Sequence, residues 1–354
     1  MRRRVSRTIK IGPVLIGGLN PIVIQSMTNT DTENIPLTLE QINRLAQAGC
    51  EVVRVAVLNS RAAEALKEIC RQSPLPVIAD IHFDYKLALK AVENGVQGLR
   101  INPGNIGAPW KVKEIVKSVR EREIPIRIGV NSGSLPKDLL EKYQGPGADA
   151  LVESALRHVQ ILEDEGYCNL KISLKSSRVP VMIEAYRKIA EAVDYPLHLG
   201  VTEAGTAKSG VVKSAIGIGT LLAEGIGDTI RVSLTGDPVA EIPIALQILR
   251  TLGLKESGFE LISCPTCGRT RLDLGRLTAE VEERLENLPP PSERVTVAIM
   301  GCEVNGPGEA KEADFGIAGG RGNGFLFEKG KIVARLPEKE LVSALIERIK
   351  NHLL

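Results

Sequence analysis

The stretch EVVRVAVLNSRAAEALKEICRQSPLPVIADIHFDYKLALKAVENGVQGLRIN, residues 51–102, decides the fold. Three short runs within it, EVVRVAV, PVIADI and GLRIN, are rich in Val and Ile and have the length of strands, and helical patterns separate them. Strand–helix–strand alternation needs a crossover connection and so implies parallel βαβ units. The same rhythm runs outward in both directions, from about residue 20 to 235. PIVIQS comes before the stretch, and IRIGVN, LKISLK, LHLGVTE and TIRVSL come after it. Amphipathic segments such as LTLEQINRLAQAG and SGVVKSAIGIGTLLAEG lie between. About eight such units close naturally into a TIM barrel. A doubly wound open sheet is the competitor, but it usually needs fewer strands, and no GxGxxG opens the first unit. Ahead of the first strand, RTIKIGPVLIGG reads as a hairpin that covers the barrel floor.

The last barrel helix, roughly Val239–Leu252, ends near LGLKESG, whose Gly and polar residues mark a boundary. The expected division is a barrel over residues 1–254 and a smaller α+β domain over residues 255–354. The second part has a CPTCGR turn, a helix, the apolar run RVTVAIMG and a glycine-rich loop, CEVNGPGE. A hairpin around GFLFEKGKIVARL and a C-terminal helix, EKELVSALIERIK, complete it.

The bulk numbers narrow the function. The chain has 354 residues, 43% hydrophobic and 25% charged, with a formal net charge of +2. Aromatic residues are only 3%, so base-stacking platforms are scarce, and the near-neutral charge argues against nucleic-acid binding. Met1-Arg2-Arg3-Arg4 resembles a signal n-region, but Ser6, Arg7, Thr8 and Lys10 interrupt any apolar run behind it. No segment approaches the length of a membrane span, and a cytoplasmic protein with no membrane partner is expected.

TIM-barrel sites form at the C-terminal ends of the strands. Those ends carry Gln25 and Ser26, Arg54, Asp80 and His82, Arg100 and Asn102, Arg127 and Asn131, Lys171 and Lys175, Glu203, then Arg231 and Ser233. Residues two apart on a strand face the same way. An inward Arg or Lys is costly unless an anion pairs with it. Arg54, Arg100, Arg127, Lys175 and Arg231 outnumber the nearby acids, and a bound polyanion, most simply a diphosphate, would balance them. The alternative is that single side chains point outward or pair with Asp80 and Glu203. His82 reads equally well as a hydrogen-bonded core histidine.

Six cysteines are too few for a disulfide scaffold in a chain this long. Cys50, Cys70 and Cys168 stand apart and read as buried and inert. Cys264-Pro-Thr-Cys267 places two thiolates at the spacing of one metal-binding turn, and Cys302 follows VTVAIMG on a loop that returns to them. Thiolates suit an Fe–S cluster or zinc. A structural zinc site would want a fourth Cys or His. Only four histidines exist, three in the barrel region and one at the C-terminus, so the nearest fourth ligand is a carboxylate, Glu303 or Glu309. A phosphate-ester barrel enzyme with a structural zinc domain therefore stays open beside the iron–sulfur reading, as does a binding module built on the cysteine domain.

Eight segments taken together, in order, carry a family resemblance. They are VIQSMTNTDT, IADIHFDY, LRINPGNIG, RIGVNSGSL, HLGVTEAG, IRVSLTGDP, SCPTCGRT and MGCEVNGPGEA. The chain resembles, over essentially its whole length, the IspG/GcpE family of 4-hydroxy-3-methylbut-2-enyl diphosphate synthases of the non-mevalonate isoprenoid pathway, in the bacterial two-domain form. The resemblance implies a TIM barrel followed by a 4Fe-4S domain. It implies reductive ring opening and dehydration of 2-C-methyl-D-erythritol 2,4-cyclodiphosphate to 4-hydroxy-3-methylbut-2-enyl diphosphate, with two electrons delivered through the cluster by ferredoxin or flavodoxin. Its cluster ligands map to Cys264, Cys267, Cys302 and Glu309, and the Glu309 iron is the one that opens to substrate. Its substrate site maps to Arg54, Arg100, Arg127, Asn131, Lys175, Arg231 and Ser233. Glu203 matches an acid near the hydroxyl end of the substrate, while the resemblance leaves the roles of Asp80 and His82 open. The family's homodimer sets the cluster domain of one subunit over the barrel of the other.

Overall fold

In a computed structural model of the chain, residues 2–302, 312–320 and 323–353 are described. The chain divides into two compact units, Met1–Leu254 and Lys255–Leu354.

The first unit opens with the hairpin β1 (Ile9–Ile11) and β2 (Val14–Ile16), paired antiparallel. Its buried Ile9, Ile11 and Ile16 pack with Val23, Val52 and Ile78, which lie at the starts of the first three barrel strands. The hairpin thus covers the barrel floor. The chain then alternates through β3 (Val23–Met27), α1 (Ile35–Gln47), β4 (Val52–Ala56), α2 (Ser60–Gln72), β5 (Val77–Asp80), α3 (Tyr85–Glu93) and β6 (Gly98–Ile101). A short α4 (Pro103–Ile106) and α5 (Pro109–Arg120) lead to β7 (Ile126–Asn131). After it come α6 (Lys137–Lys142), α7 (Ala148–Asp164), β8 (Leu170–Lys175), α8 (Val179–Ala192) and β9 (His198–Leu199). The unit finishes with α9 (Ala207–Ala223), β10 (Thr229–Ile230) and α10 (Glu241–Thr251).

The sequence signals explain these elements locally. Asn34, Asn59 and Asp84 accept the first free amides of α1, α2 and α3, from Leu37, Ala62 and Lys86. Each helix buries one stripe; on α2 it is Ala62, Ala63, Ala65, Leu66 and Ile69. One alternating set of strand residues, such as Val53, Val55, Ala79 and Leu99, joins those stripes in one large apolar shell between strands and helices. The other set faces the barrel axis, with Val52 and Ile78 near the floor and Arg54 and Asp80 above them on β4 and β5.

The eight barrel strands pair in the order β8-β7-β6-β5-β4-β3-β10-β9, all parallel. An isolated parallel bridge between Ile172 and Leu197 joins the two ends of that order. All eight strands expected from the sequence are present, and the fold is the TIM barrel rather than an open sheet.

The second unit is a five-stranded sheet, β11 (Gly258–Ser263), β12 (Arg294–Met300), β13 (Phe315–Gly319), β14 (Gly324–Glu328) and β15 (Lys331–Leu336), in chain order. The first three strands are parallel and the last two antiparallel. Helices α11 (Leu274–Glu286) and α12 (Glu338–Leu353) pack on one face around Val297, Phe315, Ile317, Leu341 and Leu345. Strands β11 and β13 were not foreseen. β11 is only partly buried and carries Glu260, so its alternation is weak. β13 is a five-residue run with two glycines, which sequence patterning scores against strand. Gly316 is there for space, since a Cβ would stand 2.2 Å from the Phe327 ring.

Candidate functional site

Register brings the barrel cations together. Across four neighbouring strands Asp80, Arg100, Arg127 and Lys171 are successive partners, and Asn131 is opposite Lys175. Arg54, Asp80, Arg100, Arg127, Lys171 and Lys175 are all buried, while Asn131, Arg231 and Ser233 are half-buried at the rim.

Their partners differ. Arg100 Nη1 donates to Asp80 Oδ1 at 3.0 Å and Nη2 to the Gly129 carbonyl at 2.9 Å, and Arg54 Nε stands 3.5 Å from Asp80 Oδ2. Asp80 is therefore shared between two guanidiniums. Burial alone would raise its carboxyl, but Arg54, His82, Arg100 and Arg127 outweigh that and hold it well below the usual carboxylate range. His82 is half-exposed, with Nε2 2.8 Å from Arg100 Nη1, so it is not a core histidine. Arg54 Nε also reaches the Met27 sulfur, a weak acceptor, at 3.1 Å, and Nη2 reaches it at 2.8 Å. Burial, only partly offset by Asp80, pushes the Arg54 guanidinium down to about 10.

Arg231 is held by Glu241, the first residue of α10, at 3.3 Å. Glu241 is 2% exposed and also accepts from Ser26 Oγ at 3.1 Å and the Leu234 amide at 3.0 Å. Sequence reading missed Glu241 because it looks like one more acid opening a helix; its burial depends on where α10 meets β3 and β10. It missed Gly129 as well, although RIGVN contains it. Gly129 faces inward, and a Cβ there would lie 2.5 Å from Arg100 Nε. His198 is a third omission: fully buried, with Nδ1 2.8 Å from Thr229 Oγ1, and kept neutral by burial first and then by Arg127.

Arg127 and Lys175 stand differently. Neither has an ion pair among the described residues, and Arg127 Nε and Nη1 have no hydrogen-bond partner there. The alternative reading, pairing with an acid, holds at Asp80 for Arg54 and Arg100, and Glu203 pairs with none of the ring. Glu203 is exposed on the turn after β9 with φ 52°, the left-handed region that a non-glycine residue rarely occupies.

In the second unit, parallel pairing of β11 with β12 brings the cysteines to one end of the sheet. Ser263 is level with Ile299, the Cys264 amide donates to the Ile299 carbonyl at 3.2 Å, and the Gly301 amide donates to Cys264 Sγ at 3.2 Å. Cys302 lies just beyond, buried; Cys267 is exposed. The turn is tied by Thr270, whose Oγ1 accepts the Cys267 amide at 3.0 Å, and the Arg271 amide donates to the Gly301 carbonyl at 2.8 Å. Amides aimed at sulfur favour the thiolate, and the Cys267 thiol is drawn below its ordinary value, first by the backbone at Arg269. This donor set, soft sulfurs on a surface turn supplied with N–H groups, fits an iron–sulfur cluster. No three His, Cys, Asp or Glu side chains among the described residues converge on a single-ion site. Glu303 and Glu309 lie outside the described residues. Of the other cysteines, Cys50 is buried and Cys70 half-buried, both pushed up to about 12 by burial. Cys168 is exposed, not buried as expected: it precedes β8 on the floor side, where the chain turns at the surface.

Both units match models of one family. Residues 6–246 match the GcpE TIM-barrel domain and residues 260–351 the GcpE protein C-terminal domain. A protein of Geobacter sulfurreducens is 59% identical over 346 residues, covering 98% of this chain and 97% of that one. A protein of Clostridium perfringens is 57% identical over 351 residues, covering 99% and 100%. Both are named 4-hydroxy-3-methylbut-2-en-1-yl diphosphate synthase (flavodoxin). Among solved structures, a truncated 3-deoxy-D-arabino-heptulosonate 7-phosphate synthase from Thermotoga maritima aligns at TM-score 0.52 and 14% identity, over 70% of this chain and 94% of that one. That likeness shows the barrel fold alone. With both halves matched in order and full-length relatives well above half identical, the chain belongs to the GcpE family of 4-hydroxy-3-methylbut-2-en-1-yl diphosphate synthases.

Proposed function

We propose that this chain carries out the two-electron reductive ring opening of 2-C-methyl-D-erythritol 2,4-cyclodiphosphate, with loss of water, to 4-hydroxy-3-methylbut-2-enyl diphosphate. The observation that carries the reading is the pair Arg127 and Lys175: buried basic side chains at the mouth of the barrel for which the described part of the chain supplies no carboxylate. A diphosphate supplies the missing charge and the acceptor oxygens that a guanidinium fork matches.

The residues of the chain have distinct tasks in this reading. Arg127 and Lys175 bind the diphosphate, and Arg54 and Arg100, held in place by Asp80, orient it from the neighbouring strands. Arg231, fixed on Glu241, and the neutral groups of Asn131 and Ser233 complete the rim. Glu203, on its strained turn, is the acid available at the hydroxyl end for a proton. Cys264, Cys267 and Cys302, with Glu309 as the fourth ligand, would hold a 4Fe-4S cluster, which supplies electrons one at a time and a Lewis-acidic iron. Flavodoxin, as in the names of the relatives, or ferredoxin is the donor, and the enzyme works as a homodimer in the cytoplasm, where thiols stay reduced.

The test is anaerobic turnover of the cyclodiphosphate with reduced flavodoxin, with the product identified by mass. Turnover of a simple phosphate ester instead, by a zinc-containing protein, would replace this reading with the barrel-plus-structural-zinc one.

A further inference from the structure

Strand β8 carries two lysines on its inward face, and only Lys175 belongs to the ring assigned to substrate. Lys171 stands deeper, with Ser173 between them, and is 1% exposed. Its amine donates to Gln25 Oε1 at 3.5 Å, the long limit of a hydrogen bond. Its register partner on β7 is Arg127.

The charges facing this group are already committed elsewhere. β5 presents Asp80, shared by Arg54 of β4 and Arg100 of β6. β10 and α10 present Arg231 and Glu241, paired with each other. β9 presents His198, which is neutral, and α8 presents the Tyr186 hydroxyl, which donates to the His198 carbonyl. At the floor, Asp228 accepts from the Leu197 amide at 2.8 Å and the Ser6 hydroxyl at 2.9 Å, with Arg3 nearby at 3.7 Å. Among the described residues no carboxylate is left for Arg127, Lys171 and Lys175.

Three neighbouring cations without a counter-charge must shed charge where they can. Arginine cannot, since a guanidinium does not deprotonate in proteins, whereas a buried lysine readily does. Burial first, then Arg127 for Lys171 and Arg231 for Lys175, draws both amines well below the ordinary lysine value. Resting on the reading of the mouth as a diphosphate site, we infer that Lys171 and Lys175 are neutral amines until the diphosphate arrives, and that binding draws a proton from solvent onto each. Only N–H bonds form, and no electron moves. The ring thereby acquires its full positive charge only when the anion is there to match it. By linkage, affinity falls as pH rises, about tenfold per pH unit for each proton taken up, between the free and bound titrations of the lysines.

Calorimetry of cyclodiphosphate binding to the anaerobic, cluster-loaded full chain, in buffers of different ionisation heat, counts these protons. The expected result is net uptake of about one to two protons per site, reduced by about one in Lys171→Met. Binding without net uptake, or unchanged uptake in both Lys171→Met and Lys175→Met, overturns the inference. A second measurement needs no substrate. In the ligand-free wild type, isotope-labelled lysine side chains followed by NMR should include resonances titrating below about pH 9. If every lysine titrates near its ordinary value, the neutral amines are refuted. Absence of cyclodiphosphate binding together with those low-titrating resonances would sink the substrate reading while upholding the neutral lysines.

Discussion

Arg127 is the residue on which the anion site turns, because its guanidinium is buried and Asp80 is taken by others. Arg127→Ala or Arg100→Ala should weaken substrate binding and turnover by on the order of 2–5 kcal/mol while iron content stays at the wild-type level. Unchanged kinetics in both variants would mean that the diphosphate sits elsewhere. Gly129 offers a sharper test of geometry, since it adds no charge and removes none. Gly129→Ala places a methyl group 2.5 Å from the present position of Arg100 Nε, so the guanidinium must move off Asp80 or the strand must shift. A loss on the order of 100-fold in kcat/KM with an intact cluster spectrum is expected. Glu309, outside the described residues, is tested by chemistry instead. A carboxylate is a harder and weaker partner for iron than a thiolate. Glu309→Cys should keep the cluster and lose most activity, and Glu303→Ala should do neither harm; loss of the cluster signal in Glu303→Ala alone would move the fourth ligand there.

Strand β8 shows how an element's alternation sets both stability and function. Leu170, Ile172 and Leu174 face the helices and hold the shell together, while Lys171, Ser173 and Lys175 face the axis. A lysine whose folded value lies below its unfolded one binds fewer protons when folded, across the interval between the two. Its burial therefore lowers stability most fully below the folded value, and the penalty fades as pH rises toward the ordinary lysine range. Lys171→Met fills the same space without charge. Chemical denaturation should find this variant more stable than wild type, with an advantage that shrinks by up to about 1.4 kcal/mol per pH unit and disappears near about pH 10.4. An advantage independent of pH would mean that packing, not charge, separates the two. Strand β11 plays the same kind of part in the second unit: its parallel pairing with β12, level at Ser263 and Ile299, brings Cys264 beside Gly301 and Cys302.

At the scale of the molecule, the two units have separate apolar cores, one around the barrel strands and one between the five-stranded sheet and its two helices. Anaerobically purified protein should be brown and hold about four irons per chain, and Cys264→Ser, Cys267→Ser and Cys302→Ser should each remove colour and activity. A colourless wild type with stoichiometric zinc would refute the cluster. Stripping the iron should leave the cooperative unfolding of the barrel in place, measured by circular dichroism, because none of the barrel's core residues belongs to the second unit.

Local pattern was enough for much of this protein. The eight barrel strands, the floor hairpin, the inward polar series from Arg54 to Arg231 and the cysteine spacing all follow from period-two alternation and short-range turn chemistry, which act within a few residues. Strands β11 and β13 escaped because one is half-solvated and the other is rich in glycine, so their alternation carries little signal. The sequence offered Asp80 and Glu203 as partners for the ring but not which cations they would serve. Glu241 looks like any helix-opening acid until α10 packs its carboxylate on Arg231, and Gly129 looks like a weak strand residue until Arg100 fills the space beside it. Charge balance inside a barrel depends on side chains from strands far apart in the chain, so only the closed sheet decides that Asp80 serves two arginines and that no carboxylate among the described residues is left for Arg127, Lys171 and Lys175.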